Sequence, residues 1–288
     1  MASTATLERT QSPIAPIDVS RAELYEGEAW QDAFRQLRAQ APIQYVPDSE
    51  FGPYWSVSTY KPIVHIEALP KVFSSSWEYG GIAIPGSGDE PMEGEVRMPM
   101  FIAMDPPHHT AQRRTIAPSF GPSEVAAMKA EVQARTAEVL DSLPIGEAFN
   151  WVDRVSIELT TGMLAKLFDF PWEERHKLTY WSDMVTNMPG HGPVQSWEHK
   201  GQAMMECFGA FQELWNQRLD APAAIDLISM LTHNPTTRAM SPAEYQGTVI
   251  LLIVGGNDTT RNTISGSVYA LNKNPDQYAK LRADHGLI

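Results

Sequence analysis

A single cysteine, Cys207, stands in 288 residues, which excludes an internal disulfide and any zinc site built from several thiolates. Basic residues are also scarce: 22 Lys and Arg against 35 Asp and Glu give a formal charge of −13. A nucleic-acid surface needs clustered Lys and Arg to meet phosphates, so that class of partner is not expected. No stretch approaches the roughly eighteen consecutive apolar residues of a membrane span, so none is expected. The N-terminus, Met1 to Ile17, is polar and rich in Ser, Thr and Pro. It lacks the apolar centre of a secretion signal, which leaves the cytoplasm as the expected location. Neither G-x-G-x-x-G nor Gly-Lys-Ser/Thr occurs, and no internal repeat is visible.

What is present is mostly helical patterning punctuated by proline and glycine. Residues 1–20 read as a mobile arm. Arg21 to Gln40 carries Leu24, Trp30, Phe34 and Leu37 at amphipathic-helix spacing. Two short strands follow, Ile43 to Val46 and Tyr54 to Ser58, joined by turn residues into a small β-hairpin. Pro62 to Leu69 reads as a short helix. Gly80 to Met104 loses periodicity and is expected to be a long loop, a feature that in compact domains is usually functional or disordered. Its apolar end, Met98 to Met104, suits an adaptable wall for a hydrocarbon ligand, or equally a plain cover over the core. Helices are then expected over Pro107 to Phe120, Ser123 to Leu143, Trp151 to Phe170, Trp172 to Asn187, Ser196 to Leu219, Ile225 to Thr232, Ser241 to Asn274 and Asp276 to Asp284. The fold class is mainly α with a small β-hairpin region.

The span from Ser241 to Asn274 dominates. Ser241 as N-cap, Pro242 in the first helical position and Glu244 three residues after the cap make a capping box, and Asn274-Pro275 supplies the stop. The expected rod is about 50 Å long at 1.5 Å rise per residue. Inside it, the apolar run Val249 to Val254 leads straight into Gly255, Gly256, Asn257, Asp258, Thr259 and Thr260. Each mid-helix glycine costs up to about 1 kcal/mol relative to alanine, so something must compensate. In a helix the Thr259 hydroxyl can reach the Gly255 carbonyl, leaving a groove for a flat ligand or a diatomic. The alternative is a buried strand at Val249 to Val254 followed by a Gly-Gly-Asn loop, as at the start of a nucleotide-binding unit.

A second constellation is Asp105, Pro106, Pro107, His108, His109 and, four residues on, Arg113. Asp105 can cap a helix whose first turn is Pro106-Pro107, which places His109 and Arg113 on one face where the two can grip a carboxylate. Its plain reading is an exposed polar face.

The string from Gly255 to Thr260 resembles the oxygen-activating motif of bacterial cytochromes P-450. The longer string from Leu252 to Thr263 resembles the soluble alkane and fatty-acid terminal hydroxylases among them. Asp105 to Arg113 is similar to the family's Asp-Pro-Pro-x-His-x-x-x-Arg segment, in which the histidine and arginine hold haem propionates. The resemblance runs from about Arg21 to Ile288. It implies a P-450-type helical fold and haem b held by His109, Arg113, Gly255 and Gly256. Asp258 and Thr259 would be catalytic, relaying protons, and Ile102, Leu251 and Val254 would line the substrate pocket. It also implies O2, an apolar small-molecule substrate, and electrons from NAD(P)H through a reductase and a ferredoxin-type donor.

The sequence departs from that family in two places. The family's cysteine ligand lies in a Phe-x-x-Gly-x-x-x-Cys-x-Gly loop, and no such loop occurs here. Cys207 lies within an expected helix without the required glycines and reads as a structural thiol, not the ligand. The family's Glu-x-x-Arg helix is also absent, and the sequence stops where a further helix is expected. Residues 21–288 are therefore expected to be an incomplete monooxygenase domain, the first two-thirds, inactive alone. The rival reading is a non-catalytic α-helical protein that binds an apolar ligand or another protein.

Overall fold

The computed structural model describes residues 14–27, 29–82 and 98–288. Most of the expected arm and most of the expected loop from Gly80 to Met104 lie outside the described residues. Among the described residues no helix is long and apolar enough to cross a membrane. Contacts divide the chain into two units, Met1–Arg97 with Ile102–His109, and Met98–Phe101 with Thr110–Ile288.

In the first unit the helix expected from Arg21 is split into a 3-10 turn at Ala22–Tyr25 and α1 at Ala29–Gln40. Gly27 stands in the interruption, where helix continuation is costly. Leu37 is fully buried while Trp30 is 40% exposed, so only part of the apolar stripe is covered. β1 (Ile43–Val46) and β2 (Tyr54–Val57) pair antiparallel with Tyr45 opposite Trp55. Their rings lie 5.2 Å apart, the cross-strand contact that fixes the register. The hairpin also ties down residues expected to belong to the mobile arm. Gln44 Oε1 accepts from Ile17 N at 3.2 Å, and the Tyr54 hydroxyl accepts from Val19 N at 2.9 Å and donates to Asp18 at 2.8 Å. Burial raises the Asp18 pKa, but hydrogen bonds from Ser20 and Tyr54 outweigh it and hold the carboxyl below its ordinary value. α2 spans Tyr60–Glu67.

α3 runs His108–Ile116 and starts one residue later than expected. Asp105 does not cap it through its side chain. Its carboxylate instead accepts from Ser74 Oγ and, at 3.1 Å, from Ser75 N.

The second unit is helical: α4 (Pro122–Asp141), a π turn (Val152–Ile157) running into α5 (Glu158–Phe168), α6 (His176–Thr186), α7 (Trp197–Leu219), α8 (Leu227–His233), α9 (Pro235–Arg238), α10 (Pro242–Lys273) and α11 (Pro275–Ala283). α9 was not expected; the Asn234 side chain starts it by accepting from Thr236 N at 2.9 Å. Phe168, Phe170, Trp181 and Phe211 interlock at ring separations of 5.1 to 6.2 Å, and Leu178, Met184, Ile250 and Ile253 complete the core. Fully burying such a side chain stabilises the fold by roughly 1.5–3 kcal/mol, so this cluster fixes α5, α6 and α7 together.

Candidate active site

α10 packs against α6, α5 and the π turn. Its capping box forms: Ser241 Oγ accepts from Glu244 N and Glu244 Oε2 accepts from Ser241 N at 2.9 Å. The helix is continuous over 32 residues, so no strand or phosphate loop exists at Val249 to Asn257, and the nucleotide-binding alternative is excluded.

One face of α10 is closed and another open. Val249, Ile250, Ile253 and Asn257 are buried at 1% exposure or less. On the other side Leu251, Gly255 and Thr259 follow one another at four-residue spacing, Leu251 half-buried and the other two exposed. Val254 and Asp258, both half-buried, stand beside that stripe. Thr259 Oγ1 donates to the Gly255 carbonyl at 2.7 Å.

The glycine pair does two separate jobs. A Cβ on Gly255 would meet nothing within 4 Å, so that position opens the face. A Cβ on Gly256 would come within 2.6 Å of Leu164 Cδ2 on α5, so that position is kept small by packing. The missing side chain of Gly256 thus serves the contact between α10 and α5.

Behind the open stripe lies a polar anchor the sequence reading did not identify. Arg261 donates to Asp258 Oδ1 at 2.6 Å and to Asp183 Oδ1 of α6 at 2.9 Å. Burial lowers the affinity of that guanidinium for its proton, but the bond to Asp183 and the field of the two carboxylates outweigh it, and the Arg261 pKa is raised. Asn257, fully buried, accepts through Oδ1 from Thr179 Oγ1 at 3.3 Å and from Thr160 Oγ1 at 3.4 Å. Two helices thus hold the turn that carries Asp258 and Thr259. The three-residue spacing of Asp258 and Arg261 was a readable signal for half of this network; Asp183 had none.

The remaining candidates sit elsewhere in the chain. His109 and Arg113 lie one turn apart on α3, His109 half-buried and Arg113 exposed. Ile102, 43% exposed, is the outward residue of a 3-10 turn at Phe101–Ala103 whose other two members are buried. Cys207 is fully buried in α7, and burial pushes its thiol pKa far up, which disfavours the thiolate a metal would need.

The fold matches solved structures closely. Cytochrome P450-153 from Novosphingobium aromaticivorans is 49% identical with a TM-score of 0.82, the match covering 94% of this chain and 67% of that one. The chain belongs to the cytochrome P450 family. CYP153D17 from Sphingomonas sp. PAMC 26605 is similar to this P450 chain at 53% identity and a TM-score of 0.81, over 93% of this chain and 66% of that one. Among curated proteins, linalool 8-monooxygenase of Pseudomonas putida is 28% identical over 92% of the chain. Steroid C26-monooxygenase of Rhodococcus jostii is 28% identical over 85%. The P450 chain spans 66% and 52% of the lengths of these two relatives. No family model matches. Membership implies a haem cofactor.

Proposed function

We propose that this chain forms the oxygen-facing and substrate-facing part of a monooxygenase that hydroxylates unactivated C–H bonds. The substrate class is medium-chain alkanes or fatty acids, attacked at the terminal carbon. The cofactor is haem b, and electrons come from NAD(P)H through a reductase and a ferredoxin-type donor in the cytoplasm. The observation that carries the reading is the pairing of Thr259 with the carbonyl of Gly255, at a turn of α10 where the backbone has open space beside it.

The residues present fit a flat macrocycle. Gly255 leaves the helix surface bare where a ring would press, and His109 and Arg113 offer a donor pair for its propionates, the arginine as a bidentate fork. When bound, the haem supplies O2 activation at its iron. The chain's own residues then have distinct tasks. Leu251 and Val254 present apolar surface to a hydrocarbon and exclude water from it, and Ile102 is assigned to the same task by the family resemblance alone. Thr259 Oγ1 is both donor and acceptor, so it can pass its proton outward and take another in its place. Asp258 can deliver that second proton once its carboxylate swings away from Arg261 and takes up a proton from solvent. Arg261 has Asp183 as a second partner and stays paired when Asp258 leaves. Turnover further needs a thiolate that Cys207, buried and protonated, does not supply.

The test is a chimera in which the C-terminal third of the Novosphingobium relative is joined to this chain. It is expected to bind haem and, with a ferredoxin and its reductase, to convert octane to 1-octanol. Failure to take up haem, or oxidation of no alkane or fatty acid, overturns the proposal. Octane binding without oxidation would favour the non-catalytic binding protein.

A further inference from the structure

A cavity of about 360 Å³ opens in the second unit between α4, the start of α5 and Trp172. We infer that it binds a small organic carboxylate with an apolar body, at a site separate from the face of α10. The arginines Arg135, Arg154 and Arg175 line it together with the carboxylates of Glu138 and Glu158. Two of the guanidiniums are fixed in place. Arg135 lies 4.1 Å and Arg175 4.3 Å from the centroid of the Trp172 ring, and each is paired with a carboxylate, Arg135 with Glu131 at 3.0 Å and Arg175 with Glu158 at 3.1 Å. Such stacking and pairing remove the side-chain entropy that an anion would otherwise have to freeze.

Two donors are left over. Arg154 donates to the Ser142 carbonyl at 3.2 Å and makes no ion pair among the described residues. Arg175 Nε is buried and has no hydrogen-bond partner among them. A buried unpaired donor costs free energy that a bound acceptor returns. Val139, Leu159 and the indole of Trp172 supply the apolar wall, which an inorganic anion would leave uncovered. Glu138, also in the lining, opposes an anion, which favours a single carboxylate over a polyanion.

The experiment uses the whole chain labelled with 5-fluorotryptophan, the Trp172 resonance being assigned with Trp172→Phe, and follows it by ¹⁹F NMR during titration with hexanoate. A saturable shift of that resonance is expected. It should be absent with hexanol and weakened about tenfold or more in Arg154→Gln, whose side chain is exposed and whose loss leaves the far-ultraviolet circular dichroism unchanged. Arg154→Lys should recover part of the affinity. The inference is overturned by no shift with hexanoate, by an equal shift with hexanol, by unchanged affinity in Arg154→Gln, or by inorganic phosphate acting as strongly as hexanoate. None of these readouts involves haem, so a failure here leaves the monooxygenase proposal standing.

Discussion

Three glycines of α10 should respond to alanine in three different ways, although each substitution places the same methyl group on the same helix. The propensity gain is common to all and is worth up to about 1 kcal/mol. At Gly255 nothing lies within 4 Å of the new Cβ, so the gain is kept whole. With a urea slope near 3 kcal/mol per molar, the midpoint should rise by about 0.3 M. At Gly247 the Cβ would stand 2.1 Å from the Pro99 carbonyl oxygen and 2.9 Å from its carbon, both backbone atoms. Residues 98–101 would have to shift, and overpacking of that kind costs about 1–3 kcal/mol, so the net change should be destabilising. At Gly256 the obstacle is Leu164 Cδ2 at 2.6 Å, a side-chain end in a site only 2% exposed, and the expected result lies between the other two. Urea melts of the three variants followed by circular dichroism give the order directly. Gly255→Ala should also weaken haem uptake or oxygen use in the chimera while raising stability, the mark of a position kept open for a ligand. If Gly255→Ala loses stability as Gly247→Ala does, that face of the helix is covered and the reasoning fails.

Alkaline pH should unfold the protein early. Burial raises the pKa of both Cys207 and Tyr245 far above their ordinary values of 9.0 and 10.0. Their contribution is complete below those values and declines above them, as the unfolded state alone loses the protons. The slope is about 1.4 kcal/mol per pH unit for each group, and Tyr245→Phe should flatten it in thermal melts above pH 10. Arg261→Ala should destabilise by about 2 kcal/mol, because it leaves the half-buried Asp183 and Asp258 without their shared cation; Arg261→Lys should recover part of this in urea melts. Asn257→Ala should cost about 1 kcal/mol by removing the acceptor that α5 and α6 share, since Thr160 keeps the Ser156 carbonyl at 2.9 Å and Thr179 keeps Thr161 at 2.6 Å, whereas Asn257→Asp keeps that acceptor at the cost of burying a charge.

Much of the fold could be read in the sequence because its punctuation is local. The capping box at Ser241 and the proline at 275 place the ends of α10 within a residue, and the four-residue step from Gly255 to Thr259 foretold their hydrogen bond. What escaped depended on partners distant in sequence. Nothing near Gly256 announces Leu164, so the two glycines looked alike. Asp105 has the form of a cap but is taken by Ser74 and Ser75, thirty residues away. The stretch from Ile17 to Ser20 looked mobile because its composition is polar, yet Tyr54 and Gln44 hold it on the hairpin. Asp183 carries no motif, and only the packing of α6 on α10 brings it to Arg261.

The account turns on the exposed hydroxyl of Thr259 handling the proton that oxygen chemistry requires. The most direct measurement is the yield of 1-octanol and of hydrogen peroxide per NADH consumed by the chimera and by its Thr259→Ala variant. Haem content and octane affinity should match in the two proteins, while the variant sends most of its electrons to peroxide. Equal alcohol yields per NADH would contradict it.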